Sequence, residues 1–518
     1  MKRSEMLRRV ASHDGQWDIL VIGGGATGLG VAIDSASRGY NTLLLEKGDF
    51  AQGTSSRSTK LVHGGVRYLQ QGNISLVLEA LKERGLLHQN APHLVSNLRF
   101  VVPNYDWWEG PFYGIGLKLY DMLAGKHGFG RSKMLSTEET QERIPTIETD
   151  GLLGGVIYHD GQFDDARLAI NMAQTAAEQG AAVINYMEVT ELLKSDRMTT
   201  GVVATDVETD EKYQIPAKVV VNATGPFTDN VRKMDDAGGQ QMIQPSQGVH
   251  IVLDQSFLPG DSAIMVPHTA DGRVLFAIPW YNRVVVGTTD TPIDEVSVEP
   301  RPLSEELDFL LTHAAKYLTK DPVESDVLST FAGIRPLVRS GDSENTSEIS
   351  RDHTLHISQS GLVTIAGGKW TTYRKMAEDT VNQAATLAQL EERPPVTADL
   401  PIHGYHRTPE RFGDFAGYGS DAPELEVLCN NSELSEPLIP GTDIVKGQVV
   451  WAARKEMCRT VIDFLARRTR MLVLDASRSI KMAPAVAGIL ADELDRSGEW
   501  QQTQVDQYTE LASGYLIQ

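Results

Sequence analysis

The pattern of apolar and polar positions begins with a short buried strand that runs into a glycine-rich turn. Residues 19–22 are uniformly apolar, as in a parallel strand that is covered on both faces. Helical apolar spacing starts soon afterwards and continues through Val31 and Ile33. The junction between the two patterns contains three closely spaced glycines, Gly23, Gly25 and Gly28. The pattern predicts a strand, a tight turn and a helix.

Glycines at this spacing suit a dinucleotide-binding turn. We expect Gly23 to make the turn, Gly25 to let the backbone approach a pyrophosphate, and Gly28 to let helix and strand pack closely. The pyrophosphate would lie at the helix N-terminus, where free N–H groups favour negative charge. A second predicted strand, 41–45, ends in Glu46, close to the spacing of about 20 residues at which an acid binds a ribose hydroxyl. The ligand is predicted to be FAD or NAD, and the alternative is an ordinary glycine-rich turn.

Two later strands also end in small residues. An apolar run at 218–221 leads into Ala223, Thr224 and Gly225, and another at 362–366 leads into Gly367, Gly368 and Lys369. Small side chains at a strand end let the backbone approach a ligand closely. The hydroxyl-rich and glycine-rich segment 53–67 is typical of a loop that wraps a ligand, although it could be an ordinary surface loop.

The apolar pattern of the rest of the chain predicts helices, an antiparallel sheet and a helical C-terminal region. Helical spacing predicts helices over 75–89, 167–179, 304–317 and 371–388, and a capping box at Ser136 and Glu139 predicts another helix start. Alternating positions over 242–290 predict an antiparallel sheet. Helical patterns at 445–464 and 480–494 follow a linker-like segment, 391–401.

Length and charge narrow the class of protein. A chain of 518 residues is expected to form two or three domains. The formal net charge of −21 argues against nucleic acid and against simple electrostatic adhesion to anionic lipid, so an anionic substrate would need a local basic pocket. The two cysteines, Cys429 and Cys458, have neither disulfide-framework nor metal-site spacing, so we expect buried thiols and no metal. No apolar run approaches about 18 residues, which predicts a cytoplasmic protein or one lying on a membrane face.

Two segments are candidates for membrane contact. Residues 104–125 are rich in aromatic side chains, which occur at membrane interfaces but more often form a core or a packed lid. A basic cluster near the C-terminus is the other candidate, although its spacing predicts that some members pair within the molecule: Arg454, Lys455, Arg459, Arg467, Arg468 and Arg470.

Taken together, several motifs in this order resemble one flavoprotein family. They are GTSSRSTKLVHGGVRYL, VVNATGPFTD, GVHIVL, GTTDTP, GIRPLV, SRDHTL and GGKWTTYRKMAEDTV. The chain from about residue 17 onward is similar to the FAD-dependent glycerol-3-phosphate dehydrogenases of the bacterial aerobic and mitochondrial type. The resemblance implies an α/β fold with three domains: a Rossmann-like FAD domain (17–65, 155–235 and 330–390), an antiparallel-sheet substrate domain (66–154 and 236–329) and a helical C-terminal domain (399–518).

The resemblance also implies the reaction. It is the oxidation of sn-glycerol 3-phosphate to dihydroxyacetone phosphate, with hydride passing from substrate C2 to flavin N5 and electrons passing to a membrane quinone. A homodimer attached peripherally to the inner face of the cell membrane is expected.

Motif by motif, the resemblance implies the site residues. Arg67, Tyr68 and Lys369 would hold the substrate phosphate, with Arg351 nearby. His250 and Arg335 would face the hydroxyl end. The implied FAD contacts are the glycine turn (Gly23, Gly25, Gly28), Glu46, Thr54, Ser55, Ser58, His63, Gly64, the strand end Ala223, Thr224 and Gly225, and Gly367 with Gly368.

Residue chemistry is consistent with these roles. A histidine can take the hydroxyl proton near neutral pH, although His250 could instead be a hydrogen-bonded structural residue. Arg335 would stay charged and stabilise an alkoxide-like oxygen, or it could simply pair with a surface carboxylate. Arg57 and Arg374 fall at no substrate position of the family, and we expect both to be solvated.

Three alternatives share the fold. A glycerol-3-phosphate oxidase would pass electrons to oxygen, but the long insertion of such oxidases is not seen. An amine or amino-acid oxidase would need carboxylate recognition, which fits the basic residues less well. A non-enzymatic flavin-binding protein is disfavoured by His250, Arg335 and Lys369, although fold alone does not fix function.

Overall fold

The computed structural model describes residues 1–65, 69, 73–267, 274–339, 352–431 and 433–517. Within these residues the chain forms two sheets with helices around them. The strands are β1 Trp17–Ile22, β2 Thr42–Leu45, β3 Leu61–Val62, β4 Val95–Asn104, β5 Lys133–Leu135, β6 Gly154–Phe163, β7 Ala182–Ile184, β8 Met187–Ser195, β9 Met198–Asp206, β10 Lys212–Asn222, β11 Ile243–Asp254, β12 Ser262–Val266, β13 Leu275–Trp280, β14 Arg283–Gly287, β15 Thr291–Pro292, β16 Val327–Val338, β17 His353–Ile357 and β18 Val363–Gly367.

The helices alternate with the strands of both sheets along the chain and then dominate the C-terminal region. The α-helices are Arg3–Ala11, Ala26–Ser37, Ile74–Asn90, Glu109–Ala124, Thr137–Arg143, Asp165–Glu178, Thr228–Asp235, Ser304–Ala315, Tyr373–Leu387, Ala422–Cys429, Lys446–Lys455, Met471–Leu474, Ala476–Leu494 and Gly498–Ser513. Short 3₁₀ segments include Thr54–Ser56 and Trp370–Thr372. Pro409–Asp421 forms 3₁₀ turns that are interrupted at Gly413 and Gly419, and Asp463–Arg468 is a π-helix.

The first sheet brings the predicted glycine junctions to one edge. Its strand order is β17-β18-β10-β1-β2-β7, extended by β8 and β9. β1 pairs in parallel with both β10 and β2, and β10 pairs in parallel with β18. Because carboxyl ends of parallel strands meet at the same edge, the turn after β1 lies beside the ends of β10 and β18. This is the ligand-binding edge of a doubly wound sheet.

The second sheet is mostly antiparallel and carries the candidate chemistry. Its order is β15-β11-β14-β13-β12-β4-β6-β3, with β16 paired to β11 and β5 paired to β6. The predicted α/β class, with an antiparallel-sheet domain and a helical C-terminal region, is confirmed. Segments 155–235 and 330–390, which we predicted to belong to the FAD domain, contain most of β6 and most of β16. Both strands pair in the second sheet and not in the first.

Local patterns locate most element boundaries to within a few residues. The capping box is confirmed, with Ser136 Oγ accepting from Glu139 N and the Glu139 carboxylate accepting from Ser136 N. The helical pattern at 445–464 is interrupted, because Met457 has a φ of 52° and a left-handed residue cannot continue an α-helix. The helix Lys446–Lys455 therefore ends before the π-helix begins.

The C-terminal helices share an apolar core with the second sheet, which contributes Val252, Trp280, Val285 and Phe331. Val449, Phe464, Leu490 and Tyr508 are among its buried members.

Both cysteines are buried free thiols, as the sequence predicts. Within the described ranges, every helix is either too short or too polar to cross a bilayer.

Candidate active site

The glycine turn after β1 is sterically required. Gly23 has a φ of +110°, and a Cβ there would lie 2.6 Å from the carbonyl oxygen of Ala223. A Cβ at Gly28 would lie 1.9 Å from the carbonyl oxygen of Gly23. The predicted turn at Gly23 and the predicted close packing at Gly28 are both confirmed. The role of Gly25 toward a pyrophosphate stays a prediction.

Glu46 holds the backbone of this turn. Its carboxylate accepts hydrogen bonds from the N–H groups of Gly24, at 2.6 Å, and Gly48, at 2.8 Å. Burial raises the pKa of Glu46, and these two N–H groups oppose that rise by favouring the charged form. Glu46 therefore shapes the turn, and its predicted contact with a ribose hydroxyl stays a prediction.

The loop Gly53–Lys60 joins several parts of the predicted cofactor site. Ser55 Oγ accepts from Ala26 N, the first amide of the helix after the glycine turn, at 2.9 Å. Thr54 Oγ1 donates to the carbonyl of Ile334 in β16, at 2.5 Å. The indole N–H of Trp370, beside the Gly367–Gly368 junction, donates to the carbonyl of Ser55 at 2.8 Å. Thr54 and Ser55 thus lie where the two sheets meet.

The end of β10 leaves open space beside the backbone. Gly225, after β10, has a φ of +57°, and a Cβ there would meet none of the described atoms within 4 Å. Gly367 and Gly368 have φ values of +76° and +74°, which favour glycine. The sterically required glycine turn and the open space at Gly225 fit a dinucleotide laid across this edge, as FAD would be.

The His63–Gly64 segment is held between two helices and the junction after β18. The N–H of Gly64 donates to the hydroxyl oxygen of Tyr120 at 2.8 Å. A Cβ at Gly64 would lie 2.4 Å from that hydroxyl and 2.5 Å from Leu81. The carbonyl of His63 accepts from Thr371 Oγ1 at 3.5 Å.

His250 lies in β11 and is almost completely buried, with 2% of its surface exposed. Its Nε2 lies 2.9 Å from Thr59 Oγ1, and its ring stacks on Phe331, with centroids 4.7 Å apart and an interplanar angle of 8°. The Nδ1 atom has no hydrogen-bond partner among the described residues. Burial, with the positive charges of Lys60 and Arg335, holds the pKa of His250 well below its usual value, so the imidazole is neutral.

Arg335 and His250 both border the end of β14, at two consecutive residues. Gly287 pairs with His250, and a Cβ at Gly287 would lie 2.2 Å from the imidazole Cδ2. The next residue, Thr288, accepts a hydrogen bond at Oγ1 from Arg335 Nη2, at 3.1 Å. Arg335 also forms an ion pair with Asp290, at 3.3 Å. Both side chains are largely buried, so this is not a pair at the open surface. The structure therefore brings the two predicted catalytic residues to one place.

The predicted phosphate-binding residues are only partly described. Lys369 is half-buried and immediately precedes the 3₁₀ segment Trp370–Thr372. Arg67, Tyr68 and Arg351 lie outside the described residues.

Two arginines that we expected to be solvated are buried, and that prediction is wrong. Arg57 pairs with Glu299 at 2.6 Å. Arg374 makes a bidentate pair with Glu83, at 2.7 and 2.8 Å, and also bonds Glu378. Distant carboxylates compensate the burial of both charges.

The C-terminal basic cluster is likewise used within the molecule. Arg467, Arg468 and Arg470 are buried against carboxylates that include Asp49 and Asp165. The other three members also form ion pairs, with Glu493, Glu424 and Glu208. The cluster is therefore not a free basic surface.

Sequence reasoning missed Asp165, which organises the loop before His63. Its Oδ2 atom accepts from Ser58 N, Ser58 Oγ and Lys60 Nζ, at 3.0, 2.7 and 2.7 Å. Its Oδ1 atom accepts from Arg470 at 3.0 Å. The only local signal was a pair of acids at a helix start, which ordinary capping explains equally well. Ser58, predicted to contact FAD, has its hydroxyl directed to this carboxylate.

Comparison with known families identifies the class. The family described as FAD dependent oxidoreductase matches residues 18–374. The family described as C-terminal domain of alpha-glycerophosphate oxidase matches residues 363–504. The fold and the dinucleotide-binding edge thus define an FAD-dependent oxidoreductase, and the prediction of FAD as cofactor is confirmed.

Individual relatives narrow this class. The mitochondrial glycerol-3-phosphate dehydrogenase of Homo sapiens is 41% identical over 97% of this chain and 73% of its own length. The solved glycerol-3-phosphate dehydrogenase of Bacillus halodurans, complexed with FAD, is 31% identical, with a TM-score of 0.82 over 99% of this chain and 98% of that one. The chain belongs to the FAD-dependent glycerol-3-phosphate dehydrogenase family.

A more distant solved structure shares the fold alone. The L-alpha-glycerophosphate oxidase of Mycoplasma pneumoniae is 17% identical, with a TM-score of 0.56 over 75% of this chain and 98% of that one.

Proposed function

We propose that this protein oxidises sn-glycerol 3-phosphate to dihydroxyacetone phosphate, and that bound FAD supplies the acceptor for the hydride from C2. The observation that carries the proposal is the convergence of His250 and Arg335 at Gly287 and Thr288, beside the loop Gly53–Lys60. In the oxidation of a secondary alcohol, a neutral base can take the hydroxyl proton and a permanent cation can stabilise the negative charge that develops on the oxygen.

In this proposal His250 takes the proton of the substrate 2-hydroxyl. If Nε2 carries the imidazole hydrogen and donates it to Thr59, Nδ1 has a free electron pair and can accept that proton. The C2–H bond breaks with its electron pair leaving as hydride, the O–H bond gives its proton to His250, and a C=O bond forms. Arg335 remains charged throughout and stabilises the developing negative charge on the oxygen.

The substrate phosphate needs basic donors because the protein carries a net charge of −21. We assign this task to Lys369, Arg67 and Tyr68, with Arg351 nearby. Lys369 follows the Gly367–Gly368 turn, so its position after β18 suits a substrate bound above the same edge as the cofactor.

We assign FAD to the edge of the first sheet where β1, β10 and β18 end. The glycine turn would lie along the pyrophosphate and Glu46 would approach the ribose. Thr54, Ser55, Ser58, His63 and Gly64 would border the cofactor from the side of the second sheet. Ala223, Thr224, Gly225, Gly367 and Gly368 would let the backbone approach it, as the open space beside Gly225 suggests.

The electrons are proposed to pass to a membrane quinone. The helix Glu109–Ala124 supports membrane contact, because it exposes an apolar stripe at spacings of three and four residues: Phe112, Ile115, Leu119 and Met122. Trp107 and Trp108 are exposed just before the helix. We expect a cytoplasmic protein that rests peripherally on the inner face of the membrane, as a homodimer.

The central test is anaerobic reduction of the purified flavoprotein. Glycerol 3-phosphate should bleach the flavin absorbance, whereas glycerol and D-amino acids should leave it unchanged. Bleaching by an amino acid alone would instead identify an amino-acid oxidase, and bleaching by none would favour a non-enzymatic flavin-binding role.

The electron acceptor needs a separate assay. The reduced protein should be reoxidised by a short-chain quinone much faster than by air-saturated buffer. Fast reoxidation by oxygen with stoichiometric peroxide would show a glycerol-3-phosphate oxidase and would overturn the quinone assignment.

A further inference from the structure

Lys60 is a fully buried lysine whose side chain has no place in the predicted cofactor and substrate contacts. Its side chain has 0% exposure, and Nζ donates to Asp165 Oδ2 at 2.7 Å and to the carbonyl of Ser56 at 3.0 Å. Removing an ammonium group from water is costly, so a lysine in this setting must be compensated by close partners. The ammonium of Lys60 is therefore held inside the protein by specific partners, and its role has to be sought among its buried neighbours.

Asp165, the carboxylate that compensates the charge of Lys60, also binds a second cation. Asp165 accepts from Lys60 on one oxygen and from Arg470 on the other. Burial would raise the pKa of Asp165, but Lys60 and Arg470 outweigh it and hold that pKa below its usual value. Burial lowers the pKa of Lys60 to about 8, with Asp165 opposing the change and Arg470 adding to it. At pH 7 Lys60 is thus still predominantly protonated, and one carboxylate serves two cations.

Lys60 also shares two neighbours, Thr59 and Phe331, with the predicted base. Thr59 precedes it in the chain and bonds His250 Nε2. The ammonium lies 5.0 Å from the centroid of the Phe331 ring, the same ring on which the imidazole stacks. A cation at this place opposes the formation of a second positive charge on the imidazole.

We propose that Lys60 is a positioning residue for the oxidation: its buried ammonium keeps the His250 imidazole uncharged and bonded to Thr59, so that Nδ1 stays available for the substrate proton. This inference rests on the proposed function. The charged groups that bear on His250 are Lys60 from the loop and Arg335 from β16, with their partners Asp165, Arg470 and Asp290.

The direct test is Lys60→Met in the flavin-loaded enzyme, measured as the pH profile of kcat/KM for glycerol 3-phosphate. Because the base works only when neutral, activity falls at acid pH as His250 becomes protonated. Removing the like charge should move this acid limb to higher pH by about one unit. An acid limb that does not move in the folded, flavin-loaded variant overturns the proposal.

A matched control is Lys320→Met. Lys320 also pairs with a carboxylate, Asp326 at 3.0 Å, but its side chain is 64% exposed. Its removal should leave the pH profile unchanged. A purely structural effect of Lys60→Met would lower the rate without moving the limb.

A second measurement does not depend on the variant folding. Hydrogen–deuterium exchange at the Cε1 position of each histidine, followed by mass spectrometry across pH, gives the pKa of His250 in the wild-type holoenzyme. The proposal requires a value clearly below the ordinary histidine pKa of about 6.5. A value at or above it overturns the proposal. This readout also separates the two hypotheses, because a value at or above about 6.5 overturns the role of Lys60 whether or not glycerol 3-phosphate bleaches the flavin.

Discussion

The hydroxyl group of Tyr120 accepts a hydrogen bond from the backbone N–H of Gly64, at 2.8 Å, and donates one to Asp160 Oδ2, also at 2.8 Å. The other oxygen of Asp160 accepts from Arg84 at 2.7 Å. Tyr120 belongs to the helix Glu109–Ala124, whose opposite face carries the exposed apolar stripe. One buried hydroxyl thus connects the proposed membrane-facing helix to the loop that precedes Arg67.

Replacing Tyr120 with phenylalanine should weaken substrate binding more than turnover. The variant leaves the N–H of Gly64 without its acceptor in a buried place, which costs about 1–3 kcal/mol. Because Gly64 lies just before Arg67 and Tyr68, we expect the KM for glycerol 3-phosphate to rise several-fold while kcat changes less. Steady-state kinetics with a soluble dye acceptor measures both. Tyr113→Phe, on the same helix, is the control, and a loss confined to kcat would contradict the expectation.

Replacing Gly28 with alanine should abolish cofactor binding. The new Cβ would fall 1.9 Å from the carbonyl oxygen of Gly23, so the turn and the helix Ala26–Ser37 could not keep their present spacing. The turn must therefore move away from the ligand edge of the sheet. The purified variant should lack the visible flavin spectrum. Gly116→Ala is a suitable control, because a Cβ there meets none of the described atoms within 4 Å. A normal flavin content in Gly28→Ala would exclude this turn as part of the FAD site.

The sequence predicts the glycine turn because its cause is local. The apolar run of β1, the positive φ at Gly23 and the packing at Gly28 all arise within a dozen residues. His250 and Arg335 lie 85 positions apart, and only the family motifs indicated that they share a site. They border the same end of β14 because β11 pairs with both β14 and β16. Periodicity alone does not specify that pairing.

The buried charges could not be predicted in the same way. Lys60 and Asp165 are 105 positions apart, and Asp49 and Arg468 are 419 apart. A charged residue is usually at the surface, so its burial becomes evident only when the fold supplies a partner. The expectations for Arg57 and Arg374 were wrong for this reason, since Glu299 and Glu83 come from remote segments.

Replacing Asp49 with asparagine should loosen the C-terminal region from the FAD domain. Asp49 is completely buried and binds both Arg467, at 2.5 Å, and Arg468. Removing one partner of a buried ionic group costs about 3–5 kcal/mol, because the remaining charges stay buried. Urea unfolding should show a lower free energy of unfolding, and limited proteolysis should cut sooner before the C-terminal helices. Asp261→Asn, which removes the partner of Arg99 in an exposed pair, should have little effect. Equal stabilities of the two variants would contradict this assignment.

Two acidic substitutions in the apolar stripe should abolish membrane binding without affecting catalysis. Ile115 is 72% exposed and Met122 is 75% exposed, and both lie on the same face of the helix. The combined variant Ile115→Glu and Met122→Glu should no longer co-sediment with phosphatidylcholine vesicles, whereas its kcat with a soluble dye should match the wild type. Wild-type binding should persist at high salt, because burial of apolar surface is not screened. Val427→Glu alters an equally exposed residue on another helix and should bind normally. Continued vesicle binding by the stripe variant would remove the helix from the proposed membrane surface.

Raising the pH through 9 should destabilise the contact made by His403. Its Nδ1 lies 2.5 Å from Glu178 and its Nε2 lies 2.8 Å from Asp421, so it joins the helix Asp165–Glu178 to the C-terminal region. Burial lowers the pKa of His403, but the hydrogen bonds to Asp421 and Glu178 outweigh it and raise that pKa to about 9.

The direction of this pKa shift determines how the stability of the fold depends on pH. A pKa higher in the folded than in the unfolded state means that protonation stabilises the fold, so the contribution is full below about pH 6.5 and is lost as pH rises through about 9. His403→Gln cannot be protonated and should lose this pH dependence. Thermal unfolding at pH 6, 7.5 and 9.5 should therefore show a Tm difference between wild type and His403→Gln that shrinks as the pH rises. A difference that stays constant, or that grows at alkaline pH, would show that the charge of His403 does not hold these two elements together.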